Sequence, residues 1–519
     1  MRKKHIISIS IVLFLTIAGI VGVKAKKYLV SLLSGIDSNT KAIVQISNDL
    51  SKMNNKVVEN PPIYDELSNR NINLKINGET VDLDLTKNNS VIFAKQLTTE
   101  FPNKINVDAD NDIEVFFEGE NLDDLNEFEI EEIQKNVYKS INIKCGKLER
   151  NYRLELLPSS FPSVSMASNE LIDGDIYSNF TVDNGDSYIY KMDNIGKIKF
   201  YKSGHYNQKG SLMNFNKHIS SNGEIRYSYF EPEVSANSLP KEGIGFGYII
   251  LMDERYNVIN KIELKTTKQN IDPLVENHEF IYIDDNHYIV SGAVDKTIIY
   301  NGESTVLKAA YFQEVKDNQV IFEWLSTSDE SLLKECVEKN KYMNKGNKDV
   351  ADYVHINSID IDPKDGNFIC SFRNQNSVVK ISRETGKIIW KLSGKGDSFN
   401  LTDEQKFSRQ HYAKYQEDGS ILLFDNGNDN QQTRVLRFKL DEENKTVLDF
   451  REYKINSKFS MACGSVQSYD LENEIFTIGW GMSSKDKVIM SVVDFKSNKI
   501  LAEIHTDKPI STYRSLIFK

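Results

Sequence analysis

Three histidines occupy comparable places in three consecutive stretches of the chain. His278 and His411 each lie six residues before an acidic pair that begins a tight turn, and His355 lies eight residues before a turn that begins at Pro363. An imidazole can act as a nucleophile or as a general acid or base near neutral pH. Because the three side chains recur at equivalent points of one pattern, we expect them to converge on a single site.

An arginine and an asparagine accompany His355 in the stretch VHINSIDIDPKDGNFICSFRNQNSVVKIS. If Asp362 pairs with Gly366 across the turn, antiparallel geometry places Arg373 opposite His355. Asn357 lies two residues further along the strand and should share its face. Imidazoles, an amide and a guanidinium fork around a further imidazole are suited to bind an oxyanion. The remaining imidazole would then be free to attack it.

A zinc site is an alternative for three histidines. Arg373 opposes it, because a fixed cation beside a divalent cation is unfavourable unless an anion lies between them. The sequence also has no distinctive quinone-binding signature, so neither a metal nor an organic cofactor is expected. The other interpretation of any one histidine is a hydrogen-bonded structural group, which we expect for His205, His218, His287 and His505.

The stretches that carry these residues consist of short strands separated by polar turns. Around His355 four strands follow in order, HINSIDID, NFICSFR, SVVKIS and KIIWKLS, with tight turns between them. Similar units recur at roughly 45 to 75 residues. One unit, near residue 175, has only three strands, and the C-terminal TYRSLIFK could supply its missing first strand. The pattern predicts a six-bladed β-propeller over 160–519, in which the first strands line the central channel.

The residues before the propeller divide into three predicted segments: 1–27, 28–62 and 63–159. Residues 6–23 are uncharged and predominantly apolar, which predicts a signal anchor that spans the membrane as a helix. The alternative is a signal peptide cleaved after Ala25. Residues 29–57 carry an apolar heptad interrupted by Asn39, typical of an oligomerising coiled-coil stalk or of a helix packed on the next domain. Alternating strands from about 70 to 158 predict a small β-sandwich.

Composition excludes some classes of function. A hydrophobic content of 39% with 10% aromatic residues is typical of folded domains rather than disorder. The net charge of −11 argues against a nucleic-acid-binding surface, which requires clustered lysines and arginines. The four cysteines lie far apart and are predicted to be free, mostly buried thiols, with a single disulfide as the alternative.

The motifs HINS, QHYA, LLFDNG and GSVQ, in this order and spacing, resemble those of the bacterial arylsulfate sulfotransferases. The resemblance is strongest over about 350 to 482 and extends over about 70 to 519. It implies a six-bladed propeller preceded by a small β-domain. It also implies transfer of a sulfuryl group from a phenolic sulfate ester to a phenol, without a nucleotide sulfate donor.

The resemblance also implies roles for individual residues. His411 in QHYA corresponds to the nucleophile that becomes a sulfohistidine in a ping-pong cycle. His355 and Asn357 form the HxN pair of the family, and Arg373 is its arginine. A further family histidine corresponds to His278, with His287 as the nearby alternative.

Two other functions are compatible with the same residues. One is a hydrolase that transfers the sulfuryl group to water, and the other is a propeller that binds a ligand or partner without turnover. In each case we expect a single-pass protein of the cell membrane, with the propeller outside the cytoplasm and a homo-oligomer possible through the stalk.

Overall fold

The computed structural model describes residues 62–81, 83–95, 103–122, 128–130, 139–168, 172–182, 185–206, 210–233, 243–269, 272–300, 302–337, 351–454, 458–483 and 487–519. Within these residues the chain is nearly all β-strand, which confirms the predicted all-β class. Its helices there are α1 (Glu330–Glu335) and short 3-10 turns at Leu67–Asn69, Ser326–Ser328 and Arg373–Gln375. None of these described helices is long and apolar enough to cross a membrane. The predicted anchor at 6–23 and stalk at 29–57 lie outside the described residues.

The described residues up to 157 form two sheets over one hydrophobic core. Their strands are β1 (Ile72–Ile76), β2 (Glu79–Val81), β3 (Ser90–Lys95), β4 (Asn103–Ala109), β5 (Glu114–Phe117), β6 (Glu120–Asn121), β7 (Phe128–Ile130), β8 (Lys139–Cys145) and β9 (Leu148–Leu157). One sheet has the order β2-β1-β4-β7 and the other β3-β9-β8-β5-β6. Alternate residues such as Leu74, Ile105, Ile143 and Leu154 point into the shared core, as expected for strands with one buried face.

The rest of the described chain consists of antiparallel meanders. Their strands are β10 (Val164–Ser168), β11 (Asp175–Thr181), β12 (Asp186–Met192), β13 (Ile198–His205), β14 (Met213–Ile219), β15 (Ile225–Pro232), β16 (Phe246–Asp253), β17 (Val258–Ile262), β18 (Leu274–Asp284), β19 (His287–Tyr300), β20 (Glu303–Lys316), β21 (Gln319–Leu325), β22 (Ala351–Asp352), β23 (Ile356–Ile361), β24 (Phe368–Phe372), β25 (Ser377–Ile381), β26 (Ile388–Leu392), β27 (His411–Tyr415), β28 (Ile421–Asp425), β29 (Arg434–Asp441), β30 (Thr446–Tyr453), β31 (Ser465–Asp470), β32 (Ile475–Gly479), β33 (Val488–Asp494), β34 (Lys499–Thr506) and β35 (Leu516–Phe518).

These strands are organised into successive sheets. Four-stranded sheets have the orders β23-β24-β25-β26 and β27-β28-β29-β30, and β31 to β34 form a sheet that β10 extends at the far edge. The meanders β14 to β17 and β18 to β21 are joined into one larger sheet, because β16 pairs with β18. The four strands predicted around His355 are therefore confirmed as β23 to β26.

The C-terminal strand closes the first of these sheets. β35 pairs antiparallel with β11, with Leu516 opposite Tyr177, in the sheet order β13-β12-β11-β35. This confirms the prediction that TYRSLIFK supplies the missing first strand of the three-stranded unit.

The first strands of neighbouring sheets contact one another through polar side chains. Ser358 in β23 accepts a hydrogen bond from the backbone N–H of Ala413 in β27 at 2.9 Å. Gln467 in β31 binds both backbone groups of Ile517 in β35, at 2.9 and 3.0 Å. Because these strands run side by side, side chains near the beginnings of successive first strands lie close together.

Candidate active site

The structure brings the three predicted histidines together. His278 lies in β18, His355 directly precedes β23, and His411 begins β27. The ring centroid of His278 lies 4.6 Å from that of His355 and 6.3 Å from that of His411. All three side chains are buried. The alignment of sequence units therefore identified a real cluster, to which three different sheets each contribute one imidazole.

His411 is held in one tautomer by a backbone carbonyl. Its Nδ1 lies 2.7 Å from the carbonyl oxygen of Gly464. A carbonyl can only accept, so Nδ1 carries the proton, and Nε2 of the neutral ring has a free lone pair. Burial lowers the pKa of His411 well below its usual value, and the charge of Arg514 lowers this pKa further. The imidazole is therefore neutral at pH 7, the form in which Nε2 can act as a nucleophile.

The other two histidines are oriented by carboxylates. Nδ1 of His278 is hydrogen-bonded to Glu276, and Nδ1 of His355 lies 2.6 Å from Oδ2 of Asp352. Asp352 also accepts the backbone N–H of His355 at 3.1 Å. Burial lowers the pKa of His355, while Asp352 opposes the shift. A partner on Nδ1 in each ring leaves Nε2 as the nitrogen available to a ligand.

Backbone irregularities direct the histidines into the cluster. His355 has a left-handed φ of 57°, and Tyr412, directly after His411, has a φ of 51°. β-Bulges interrupt β18, β23 and β27 close to the three histidines. A bulge changes the direction of side chains next to it, so the alternation used to place Asn357 on the face of His355 does not apply there.

The predicted pairing of Arg373 with His355 is confirmed by a backbone hydrogen bond. The N–H of Arg373 donates to the carbonyl oxygen of His355 at 3.0 Å. At the turn, however, the register is shifted by one, since Ile361 pairs with Phe368. The bulge at Asn357 restores the register, and the two offsets cancel.

Arg373 and Asn357 occupy different environments. Arg373 is half-buried, its Nη1 donates to Oδ1 of Asn374 at 2.9 Å, and its charge contributes to lowering the pKa of His355 after the larger effect of burial. Asn357 is fully buried, and its Nδ2 donates to the backbone oxygen of Gln410 at 2.7 Å. Asn357 therefore supports the residue that precedes His411, while the charge of Arg373 acts on the imidazole cluster.

The remaining histidines have the hydrogen-bonded environments expected of structural residues. His287, the alternative to His278, contacts Glu314 at 2.6 Å, and Arg383 binds the same carboxylate. The other partners are Asp186 for His205, Ser228 for His218 and Glu503 for His505. The cluster thus contains His278 and not His287.

The DNG segment of the LLFDNG motif lies beside His411. His411 pairs with Phe424, the residue directly before Asp425. The Asp425 carboxylate is bound by Arg434 at 2.7 Å, and Asn426 donates to the backbone oxygen of Cys463 at 3.1 Å. The turn therefore supports the loop that orients His411 rather than adding a reactive group.

Several residues of the cluster were missed from the sequence. Glu276 and Asp352 lie two and three residues before their histidines, and that spacing was the available signal. Tyr513 and Arg514 lie in TYRSLIFK, which had been assigned only as a closing strand. The ring of Tyr513 is 5.4 Å from that of His411, and its hydroxyl donates to the backbone oxygen of His278 at 3.2 Å.

A cluster of possible metal ligands lies elsewhere in the described part of the chain. Ligand atoms of Asp362, Asp365 and Glu442 lie within 4.8 Å of one another. The Lys380 ammonium contacts these carboxylates at 2.5, 2.7 and 2.7 Å, so a protein cation already binds all three. The three active-site histidines do not form such a group among the described residues.

Comparison with known proteins finds a similar family over the region that contains the cluster. The family model described as Arylsulfotransferase (ASST) matches residues 234–485, which contain all three histidines, Asn357 and Arg373. This part of the chain is therefore similar to the arylsulfotransferase family. The arylsulfate sulfotransferase AssT of Escherichia coli is 27% identical over 214 residues. That alignment covers 32% of this chain and 36% of the relative, so the chain spans about a third of the length of the curated relative that it matches.

Solved structures match this chain at low similarity. A protein of unknown function from Bacteroides caccae is 10% identical, with a TM-score of 0.39 over 66% of this chain and 98% of its own. The periplasmic gluconolactonase PpgL of Pseudomonas aeruginosa is 11% identical, with a TM-score of 0.34 over 65% and 98%. An inactive virginiamycin B lyase from Staphylococcus aureus is 12% identical, with a TM-score of 0.30 over 66% and 99%. These scores are too low to transfer any activity.

Proposed function

We propose that this protein is an arylsulfate sulfotransferase that moves a sulfuryl group from a phenolic sulfate ester to a phenol through a sulfohistidine at His411. The observation that carries the proposal is the hydrogen bond from Nδ1 of His411 to the carbonyl of Gly464. It leaves the Nε2 lone pair free within a cluster of imidazoles and guanidinium groups. The match of residues 234–485 to the arylsulfotransferase family supports the substrate class.

The first half-reaction transfers the sulfuryl group to the protein. Nε2 of His411 attacks the sulfur of the aryl sulfate, an N–S bond forms, and the S–O bond to the aryl group breaks. The departing phenoxide takes a proton from a second, protonated imidazole. We assign this acid to His278, because burial lowers the pKa of His355 and disfavours its charged form.

The second half-reaction regenerates the protein. An acceptor phenol enters, gives its proton to His278 and attacks the sulfur through its oxygen. The N–S bond breaks, the new sulfate ester leaves, and His411 returns to its neutral form. A covalent intermediate of this kind gives ping-pong kinetics.

Arg373 and His355 are assigned to the sulfuryl oxygens. Charge on these oxygens grows during transfer, and a cation with fixed donors stabilises it. Arg373 directly follows β24 and lies beside His355. The hydrogen bond from its backbone N–H to the carbonyl oxygen of His355 fixes the backbone position from which the guanidinium side chain extends. Asn357 is assigned a supporting role, because one N–H of its amide donates to the backbone oxygen of Gln410, the residue directly before His411.

The proposal includes a six-bladed propeller as the scaffold. The meanders that begin with β14, β18, β23, β27 and β31 would be five blades, and β35 with β11 to β13 would be the sixth. In such a ring the first strands surround one channel. The histidine cluster would lie where three of these strands begin.

We also propose that the propeller acts outside the cytoplasm as a membrane-anchored protein. The apolar segment 6–23 between basic flanks supports a signal anchor, and the heptads of 29–57 support an oligomerising stalk. Protease added to intact cells should digest the propeller if it faces outward. An unchanged native mass after deletion of residues 26–60 would exclude oligomerisation through the stalk.

The test of the activity uses the purified protein, a chromogenic aryl sulfate and a phenol acceptor. We expect release of the donor phenol, formation of the acceptor sulfate, and a sulfuryl adduct on His411 detected by mass spectrometry before acceptor is added. His411→Ala should remove both turnover and adduct. His505→Ala is the matched control, since this histidine is half-exposed beside Glu503 outside the cluster.

The outcomes separate the alternatives. Adduct formation followed by equal release with or without phenol would identify a hydrolase. Ligand binding without turnover or adduct, over several aryl sulfates, would overturn the enzymatic proposal in favour of a binding protein.

A further inference from the structure

Arg514 connects β14, β18 and β23 beside the histidine cluster. Its Nη1 donates to Oδ1 of Asn214 in β14 at 2.9 Å and to Oε1 of Glu279 in β18 at 3.3 Å. Its Nη2 donates to the backbone oxygen of Asn357 in β23 at 2.8 Å. One guanidinium, supplied from the segment before β35, thus binds three first strands.

The guanidinium is also fixed by two aromatic rings. Its central carbon lies 4.6 Å from the centre of the Tyr412 ring and 4.9 Å from that of Tyr513. The side chain is buried, and its Nε has no hydrogen-bond partner among the described residues. A buried N–H without a protein acceptor indicates that a ligand or water supplies one.

Three residues that Arg514 contacts come shortly after the three histidines in the sequence. Glu279, Asn357 and Tyr412 each lie one or two residues after one of the three histidines. The guanidinium therefore touches the strand segments that carry all three imidazoles.

Two cations lie close together beside the histidine cluster. Arg514 and Lys414 both bind the Glu279 carboxylate, at 3.3 and 3.1 Å. The carboxylates of Glu276 and Asp352 are hydrogen-bonded to His278 and His355. The Nε–H of Arg514, which has no acceptor among the described residues, is therefore the charged donor left for an anionic ligand.

The groups that face His411 can be named from each neighbouring element. They are His278 from β18, His355 before β23, the carbonyl of Gly464 before β31, and Tyr513 with Arg514 before β35. Burial raises the pKa of Tyr513, so its hydroxyl stays neutral. Arg514 is the permanent cation in this group and acts on His411 more strongly than either imidazole does.

We propose that Arg514 is a positioning residue of this site: a buried fixed cation that favours an anionic sulfate ester among the three imidazoles and holds the strand segments behind them. The inference rests on the proposed sulfotransferase function. It assigns a role to a residue outside the sequence motifs that carry the family resemblance.

The test compares Arg514→Gln, which removes the charge, with Arg514→Lys, which keeps it. In Arg514→Gln the KM for the anionic donor should rise about tenfold, while the KM for a neutral phenol acceptor should change by less than about twofold. The acid limb of kcat/KM should move to higher pH by about one unit, because a nearby cation no longer disfavours protonation of His411. Arg514→Lys should keep the donor KM and the acid limb and lower only kcat.

Glu279→Gln should shift the acid limb in the opposite direction to Arg514→Gln. Removal of the carboxylate leaves the charge of Arg514 less compensated, so the acid limb should move to lower pH and the donor KM should not rise. If Arg514 had only a structural role, all three variants would lower kcat. The acid limb of kcat/KM would then not move in opposite directions in Arg514→Gln and Glu279→Gln.

The inference is overturned if Arg514→Gln folds normally and keeps both the wild-type acid limb and the donor KM. If circular dichroism shows that Arg514→Gln does not fold, Glu279→Gln decides, and an unmoved limb there overturns the inference. The proposed function is tested separately by turnover of the wild-type protein. Should the wild type be inactive, NMR titration of labelled histidines, assigned with His411→Gln, still measures whether Arg514 lowers the pKa of His411.

Discussion

The two regions of the described chain bury very different groups. The two sheets that end at Leu157 enclose a core of aliphatic and aromatic side chains such as Leu74 and Ile143. The later sheets also enclose imidazoles, carboxylates and a guanidinium in the histidine cluster. Burying polar groups costs stability unless each is paired, and the cluster offsets this cost with partners such as Glu276 and Asp352. The first region is therefore stabilised by apolar packing, whereas the histidine cluster depends on the pairing of its polar groups.

The largest effect is expected on sulfuryl transfer at the histidine cluster. His411→Ala should lower transfer at least about 10⁴-fold, because no other group replaces the nucleophile. Its free energy of unfolding should change little, since the substitution removes a buried group that is costly to desolvate. Initial rates of phenol release and urea unfolding measure the two quantities. Retained transfer would remove His411 from its assigned role.

The next largest effect is expected in the two sheets that end at Leu157. It should change stability and leave activity unaffected. Ile143→Ala should lower the free energy of unfolding of that region by about 3 kcal/mol, through lost burial and a cavity. Ile143→Val, the matched control, should cost about 1 kcal/mol. The kcat of the folded protein should be unchanged in both. A parallel loss of kcat would show that the two regions are functionally coupled.

A smaller effect is expected where a carboxylate orients an imidazole. Asp352→Asn should lower kcat about 10- to 100-fold, because a charged hydrogen bond to His355 is lost. The pKa of His355 should fall further, since Asp352 is the group that raises it. NMR titration of His355 measures this directly. A rise in that pKa would contradict the assigned interaction.

The smallest effect is a dependence of stability on pH. The pKa values of His355 and His411 are lowered in the folded protein, so the unfolded chain binds more protons below about pH 6.5. Their contribution is fully present above pH 6.5 and is lost as pH falls toward the folded pKa values. The loss is about 1.4 kcal/mol per pH unit for each group. His411→Gln should lessen the slope between pH 6.5 and 5 in urea unfolding, and an unchanged slope would contradict the prediction.

Strand order and the histidine cluster were accessible from the sequence because both follow from repetition. Alternating residues and polar turns mark most strands, and aligned units bring equivalent side chains together. Arg373 was correctly placed opposite His355 because the turn sets the pairing of the two strands. The register at the turn differs by one residue from the predicted register, and the bulge at Asn357 compensates for this difference.

The remaining features depend on contacts between elements that are distant in sequence. Asn357 was expected to share the face of His355, and its Nδ2 donates to the backbone oxygen of Gln410, next to a bulge that breaks the alternation of faces. Arg514 could not be placed in the site because its partners lie 157 to 300 residues away, and no local pattern reports such a contact.

Closure of the first sheet by β35 has a consequence for the order of events during synthesis. Tyr513 and Arg514 immediately precede that strand, so the complete cluster needs residues from β11 through β35. A nascent chain that ends between residues 411 and 513 carries all three histidines without the Arg514 guanidinium that binds β14, β18 and β23. The cluster is therefore complete only after Tyr513 and Arg514 have been added and β35 has paired with Tyr177 and its neighbours in β11.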